Sequence, residues 1–163
     1  MNSKKHRSPG SEVMVHRVDQ TPGGRVVSGT LAAQGTCPDC GLCSKRRHGW
    51  RRLVLQDFPA HGDAVTVDLR VCRWRCLSTG CRCGTLSDQE PSIALRCARR
   101  TSRTAQIAKH MGHATGGRPA ERLMHRLGMP ISDDAILRHL KRGVGDIDAV
   151  ARNTGIHDWS WRK

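Results

Sequence analysis

Two short cysteine turns, Cys37-Pro38-Asp39-Cys40 and Cys76-Leu77-Ser78-Thr79-Gly80-Cys81, stand 35 residues apart in this 163-residue chain. Each turn offers two thiolates. A tetrahedral structural zinc ion takes four such sulfurs and leaves no position open for a substrate, so Cys37, Cys40, Cys76 and Cys81 are the candidate ligands of a structural Zn2+. Four further cysteines complicate the set: Cys43, Cys72, Cys83 and Cys97. Cys43 or Cys83 could replace a neighbour, and spacing alone does not exclude Cys83, two residues beyond Cys81. The histidines are scattered, with neither His-Glu-x-x-His nor His-x-Glu followed by Cys-x-x-Cys, so the common zinc hydrolase and deaminase patterns are missing. Gly116-Gly117-Arg118 is too short for a phosphate loop and lacks its lysine.

Composition explains why a metal is needed. Val, Ile, Leu and Phe make up 30 of the 163 residues, below the roughly one-fifth under which highly charged chains drift towards disorder. Small modules supported by metal are expected, because small domains bury too little surface to stand alone. The net charge is +14, and 22 of the 28 basic residues are Arg. Arginine's planar fork pairs with phosphate and with guanine edges, which points to nucleic acid as partner. No apolar run approaches a membrane span, and no apolar core follows Lys4, Lys5 and Arg7 as a signal peptide requires. A cytoplasmic, reducing setting is expected, where cysteines serve metal rather than disulfides.

The elements that must position these groups follow from periodicity. Residues 1–11 read as a disordered basic arm, and residues 12–88 as β hairpins with a zinc ribbon. Val13, Val15 and Val18, then Val26, Val27 and Leu31, flank a turn at Thr21-Pro22-Gly23-Gly24. A second hairpin turns at Ala60-His61-Gly62-Asp63, and Val65, Val67, Leu69 and Val71 alternate strictly on one face. It runs directly into the second cysteine turn, so folding and zinc binding should be one event. Trp50 and Trp74 are expected to form the ribbon's small core, and the basic run with Arg47 and Arg51 suits phosphate contact.

Residues 89–143 change to helical periodicity. Thr104, Ile107, Ala108, Met111 and Ala114 form one stripe, with Gly112, Gly116 and Gly117 where it frays; Ala120, Leu123, Met124 and Leu127 form a second, stopped by Gly128. Ser132 caps a third helix with Asp133 and Asp134 in its first turn, and Ile131 staples onto Ile136. Helix, tight turn and capped helix outline a helix-turn-helix. Ile136, Leu137 and Leu140 fall on one side, Ala135, Arg138 and Arg142 opposite, with His139 and Lys141 flanking. Ser132, Arg138, His139, Lys141 and Arg142, with Arg118, are the expected DNA contacts beside Arg47 and Arg51. The expected fold class is α+β: a small zinc-ribbon-like antiparallel β module, then an all-α helix-turn-helix module. Residues 144–163 read as a linker and the start of a further domain, since Trp159 and Trp161 are large aromatics that want burial.

The ordered combination resembles a known family. Cys37-Pro38-Asp39-Cys40-Gly41, Arg47-His48-Gly49-Trp50-Arg51-Arg52, Leu55-Gln56-Asp57-Phe58-Pro59, Leu69 through Cys76, and Cys81 resemble the zinc-binding head of ISL-three family insertion-sequence transposases. Arg99-Arg100-Thr101, Gly116-Gly117-Arg118 and Leu127 through Ser132 resemble that family's helix-turn-helix. The resemblance implies recognition of transposon ends, followed by an RNase-H-like catalytic domain whose acidic triad binds divalent metal. Gly155-Ile156-His157-Asp158-Trp159 looks like the first strand of that domain, with His157 where an Asp usually stands. The expectation is a DNA-binding region that does not cut DNA alone and does not carry the catalytic divalent metal. It would act in a bacterial cytoplasm at the nucleoid, joined to a separately encoded catalytic part or self-associated. A free-standing transcriptional regulator with the same modules is the competing reading, and a zinc or thiol enzyme using the surplus cysteines a third.

Overall fold

The computed structural model describes residues 6–7, 13–32 and 34–142. Its elements in chain order are β1 (His6–Arg7), β2 (Val13–Thr21), β3 (Gly24–Leu31), β4 (Arg47–Ala60), β5 (Asp63–Arg75), β6 (Thr85–Ser87), α1 (Ser102–Thr115), α2 (Gly117–Arg126) and α3 (Asp133–Arg142). Of the expected basic arm, only the short β1 lies among the described residues, paired with β2 at His6↔Val15. Residues 144–163, with the expected linker and first catalytic strand, lie outside them. Among the described residues no helix is long and apolar enough to cross a membrane.

Both expected hairpins form. β2 and β3 pair antiparallel around Pro22-Gly23, and β4 and β5 around His61-Gly62, with Leu53 opposite Leu69 and Leu55 opposite Val67. The hairpins join through a parallel pairing of β3 with β5, Val27 opposite Val67 and Gly29 opposite Leu69. The sheet order is β1-β2-β3-β5-β4, with β6 on β5. The expected antiparallel module is therefore corrected to a mixed sheet. β3 runs into the first cysteine turn and β5 into the second; only parallel strands deliver both turns to the same end, and β4 makes the return journey.

One face of this sheet is covered. Val13, Leu31, Leu69 and Val71 are buried there, with Val15, Leu53, Val67 and, from the loop after β6, Ile93 packed against them. The other face is open, and it overturns the expected role of the tryptophans. Trp50 is 38 % exposed, lying under the guanidiniums of Arg70 (4.2 Å) and Arg47 (4.9 Å). Trp74 is half-buried and donates its indole N–H to Asp88 at 2.9 Å. Neither belongs to the apolar core. Aromatic faces attract guanidinium strongly enough to hold it in place at an exposed site.

Three helices build a second core from Ala108, Ala120, Met124, Met129, Ile131 and Ile136. Thr101 caps α1 through its hydroxyl, which accepts the Thr104 N–H, and Gly128, at φ 74°, follows α2 as its C′ residue. Ile131 and Ile136 are both buried, as a hydrophobic staple requires. The Ser132 carbonyl accepts the Ala135 and Ile136 amides, which puts Ser132 at the N-cap position, while the Asp133 carboxylate takes the Asp134 N–H. Two details differ from expectation. Leu137 is 41 % exposed whereas Ala135 packs on the core, so the buried side of α3 is Ile136 with Leu140 and Ala135. Gly112 does not mark fraying: it lies buried within α1, where a Cβ would sit 2.5 Å from Ile136 Cγ2. Its missing side chain is what lets α3 approach α1.

The sheet and the helices are joined at the end of β4. Gln56 donates its amide to the Arg99 carbonyl and accepts the Thr101 amide, a parallel bridge that fixes the entry to α1. The Gln56 side chain accepts Arg100 Nε, and Arg100 Nη2 reaches the Pro130 carbonyl at 2.8 Å before α3. Asp57 is buried next to it, accepting Thr101 Oγ1 and Arg103 Nε, both at 2.7 Å. Phe58 then packs against the helical core. The Leu55–Pro59 and Arg99–Thr101 motifs, about forty residues apart, are thus two halves of one joint.

Burial pushes the Asp57 carboxyl up, but hydrogen bonds from Arg103, Thr101 and the Phe58 amide, with the Arg103 charge, outweigh it and hold it below its ordinary 3.8. Since the folded value is depressed, the stabilisation is present above pH ~4 and lost as pH falls through the folded value. Asp57→Asn should cost about 2 kcal/mol by denaturant unfolding near neutrality, by leaving buried donors mismatched. Its deficit against wild type should shrink in acid below the ordinary carboxylate value; a deficit unchanged there contradicts the assigned role. Gly112→Ala should cost about 1–3 kcal/mol through overpacking against Ile136, and Ile136→Ala, which removes Cγ2, should cost less in the Gly112→Ala background than alone in the same assay.

Candidate metal centre

The first cysteine turn is built by local backbone bonds. The Cys37 amide donates to the Leu42 carbonyl and the Gly41 amide to the Cys37 carbonyl, both at 2.9 Å, while Thr36 and Cys43 pair as a bridge across the base. Gly41 takes φ 71°, a left-handed conformation that costs a residue without Cβ little. Pro38 brings no N–H, and the next two amides, of Asp39 and Cys40, turn onto the Cys37 sulfur; the Leu42 amide turns onto Cys40. In the second turn the Cys81 amide donates to Ser78 and the Cys76 amide to Gly84, both at 3.3 Å. The Cys83 amide donates to Cys81 Sγ at 3.4 Å.

The four sulfurs of Cys37, Cys40, Cys76 and Cys81 all lie within 4.8 Å of one another. Two of the approaches cross between the turns: Cys37 to Cys81 at 3.8 Å and Cys40 to Cys76 at 3.7 Å. A tetrahedron with zinc–sulfur bonds of about 2.3 Å has sulfur–sulfur edges of about 3.8 Å. The donor set and its dimensions therefore fit structural Zn2+, with every position filled by protein. Amide donation from Cys40, against burial, brings the Cys37 thiol down to about 6. For Cys81, the Cys83 amide pulls downward, but burial and the thiols of Cys76, Cys37 and Cys40 together push it up to about 12. The Cys37 thiolate forms readily while those of Cys40 and Cys81 are resisted, which is the electrostatics of a site that a cation completes.

The remaining cysteines separate from this set. Cys43 Sγ turns to the Gln34 carbonyl at 3.2 Å and Cys83 Sγ to the Thr85 carbonyl at 3.5 Å. Cys72 is buried in β5 opposite Trp50, and Cys97 is exposed in the loop before α1. Cys83 contributes through its backbone. Its spacing from Cys81, which makes it a candidate ligand by sequence, is the same spacing that places its amide on the Cys81 sulfur. Asp88 carries no signal in the sequence: its carboxylate accepts the Gln34 and Gly35 amides at 3.1 and 2.7 Å and the Trp74 indole, anchoring the chain that enters the first turn.

The expected DNA contacts fall at three places. Arg47 and Arg51 are exposed near the zinc end of β4, Arg47 stacked over Trp50 on the open face and Arg51 beside Leu53 on the other. Arg118, 82 % exposed at the start of α2, lies 3.7 Å from Asp133. Ser132, Arg138 and His139 line one cavity of about 380 Å3 with Arg99 and Arg100, two arginines absent from the expected set. His139 is half-buried rather than on the outer face of α3; Arg138 and Lys141 are exposed. Arg142 closes α3, and its side chain lies outside the described residues.

Comparison with known proteins bears on residues 33–81, which match the zinc-finger of transposase IS204/IS1001/IS1096/IS1165. Neither a curated protein nor a solved structure matches the chain. The matched segment starts just before the first cysteine turn and ends on Cys81, so it encloses all four converging sulfurs together with β4 and β5. The match over residues 33–81 supports reading this segment as the zinc ribbon of an ISL3-type transposase N-terminal region.

Proposed function

We propose that this chain binds double-stranded DNA, and that in transposition the DNA it binds is the transposon end. The observation that carries the reading is the transposase zinc-finger match over residues 33–81, enclosing a four-sulfur cluster of zinc dimensions. In this reading Cys37, Cys40, Cys76 and Cys81 hold a structural zinc ion that keeps both turns together. α2 and α3 act as a helix-turn-helix, with α3 entering the major groove. Arg138 and Lys141, exposed on α3, meet bases or phosphates there. Arg142 and Ser132 flank them, and Arg118 reaches backbone from α2. The Gln56–Arg100 bridge and the Asp57 network support this arrangement by fixing the helices to the sheet. No chemical step is assigned to the zinc, because four thiolates leave it no open position.

Metal analysis tests the ligands. Wild-type protein should hold a single zinc per chain, Cys76→Ser should lose it together with amide protection at the end of β5, and Cys43→Ser, Cys83→Ser and Cys97→Ser should each retain it. Loss of zinc in Cys83→Ser with retention in Cys76→Ser would reverse the assignment. Duplex binding at moderate salt tests α3: Arg138→Ala with Lys141→Ala should weaken affinity for transposon-end DNA about tenfold to a hundredfold, the size of one or two base-specific hydrogen-bonded pairings. Unchanged affinity removes α3 from the interface.

A further inference from the structure

The inner face of the sheet changes character along its length. On β5 the inward positions read Val65, Val67, Leu69, Val71, then Arg73 and Arg75; on β4 Leu55 and Leu53 give way to Arg51. Where the face is apolar, Ile93 and its neighbours cover it. Where it turns cationic, it opens into a groove of about 1100 Å3 beside the cysteine turns. Arg46, Arg51, Arg73, Arg75, Arg82 and Arg96 line this groove. They come from the exit of the first turn, β4 and β5, the second turn and the loop before α1, so the convergence is a product of the fold.

Among the described residues almost nothing neutralises them. Among the described residues the ion pairs use Arg17, Arg25, Arg52, Arg103 and Arg118, and none of the six groove arginines. Of the groove's two carboxylates, Asp88 is consumed by two amides and the Trp74 indole, leaving Asp39. Arg73 reaches only the Thr85 hydroxyl at 3.5 Å, and Arg75 only His48 Nδ1 at 3.3 Å. Small-molecule pockets are mostly apolar and run to about 1000 Å3; this one is at that size and walled by guanidinium. Its chemistry fits an extended polyanion.

We infer that this groove is a second DNA-contact site, which takes the sugar-phosphate backbone of a duplex irrespective of sequence. The inference rests on the DNA-binding reading above and assigns the zinc ribbon its own share of the footprint. Arg82 lies between Cys81 and Cys83, and Arg46 follows the first turn, so the metal that joins the turns also sets the position of these two charges. Phosphate pairing of this kind holds the protein in register on the duplex while bases are read elsewhere.

The test uses the full, zinc-loaded chain. Arg73→Gln, Arg75→Gln and Arg82→Gln together should lower affinity by the same factor for transposon-end and random duplexes. The slope of log affinity against log salt should become shallower by about 0.9 for each phosphate that is no longer neutralised. Zinc content and melting should not change; if the triple variant releases its zinc, Arg51→Gln with Arg96→Gln, on neither cysteine turn, decides by the same readouts. An unchanged slope in a folded variant, with Arg138→Ala still weakening binding, overturns the groove and leaves the α3 reading standing. Saturation of the groove by inorganic triphosphate that leaves duplex affinity untouched overturns it in favour of a small-anion site. A wild-type chain without affinity for any duplex overturns both.

Discussion

Four sulfurs brought within 4.8 Å of one another are stable as thiolates only around a cation. At 3.8 Å, two thiolates repel by about 4 kcal/mol even at an effective dielectric of about 20, and the cluster contains several such pairs. A divalent ion reverses the sign of the interaction and turns four repelling ends of chain into one fixed point. Much of the sheet follows from that. Both turns must reach the same end, so β3 and β5 run parallel, and the chain returns along β4. With only 30 of 163 residues drawn from Val, Ile, Leu and Phe, a single core was never available. The chain divides its apolar residues into one small cluster under the sheet and another among the helices, and a metal held by the four sulfurs would support the end that neither reaches.

β4 carries the constraint from one end of the molecule to the other. It begins at Arg47 beside the first cysteine turn and, fourteen residues later, finishes at the helical core, a span of about 45 Å for an extended strand. Gln56 and Asp57 hold the entry to α1, and Arg100 relays the hold to the Pro130 carbonyl just before α3. A strand paired along its length does not bend easily, so the zinc end and α3 keep a set separation. In the proposed DNA-binding reading, that separation decides which phosphates and which bases would be addressed together.

Local features are legible in the sequence, and long-range ones are not. Strict alternation from Val65 to Val71, turn residues at Pro22-Gly23 and His61-Gly62, the Gly128 stop after α2 and the Ser132 cap before α3 each depend on neighbours within a few positions, and each forms as read. The four converging sulfurs are the candidate ligands of the two turns, although spacing alone leaves Cys43 and Cys83 open as replacements. The parallel joint of β3 to β5 is not readable, because alternation states which face a residue takes and not which strand lies beside it. Trp50 is misread for the same reason: its partner Arg70 is adjacent only through the β4–β5 register. Gly112 reads as a breaker because its function, room for Ile136, depends on a helix more than twenty residues on. That Ala135 rather than Leu137 packs on the core depends on where neighbouring elements meet α3, which a helical projection of α3 alone does not contain.

The charge of +14 is unevenly compensated, and the unevenness has direction. On the open face of the sheet, Arg52 lies against Asp68, and Arg47 and Arg70 rest on Trp50. At the joint, Arg103 is committed to the buried Asp57. At the zinc end of the inner face, arginines line the groove without carboxylate partners among the described ion pairs. Guanidinium does not lose its proton in a protein, so this cluster cannot relieve its self-repulsion by titrating as lysines can. Such an arrangement is held open by the rigid backbone beneath it and satisfied from outside, by salt or by a polyanion. A lattice of sulfurs and zinc is well suited to that role because its rigidity does not come from apolar burial, and so the residues around it remain available for charge.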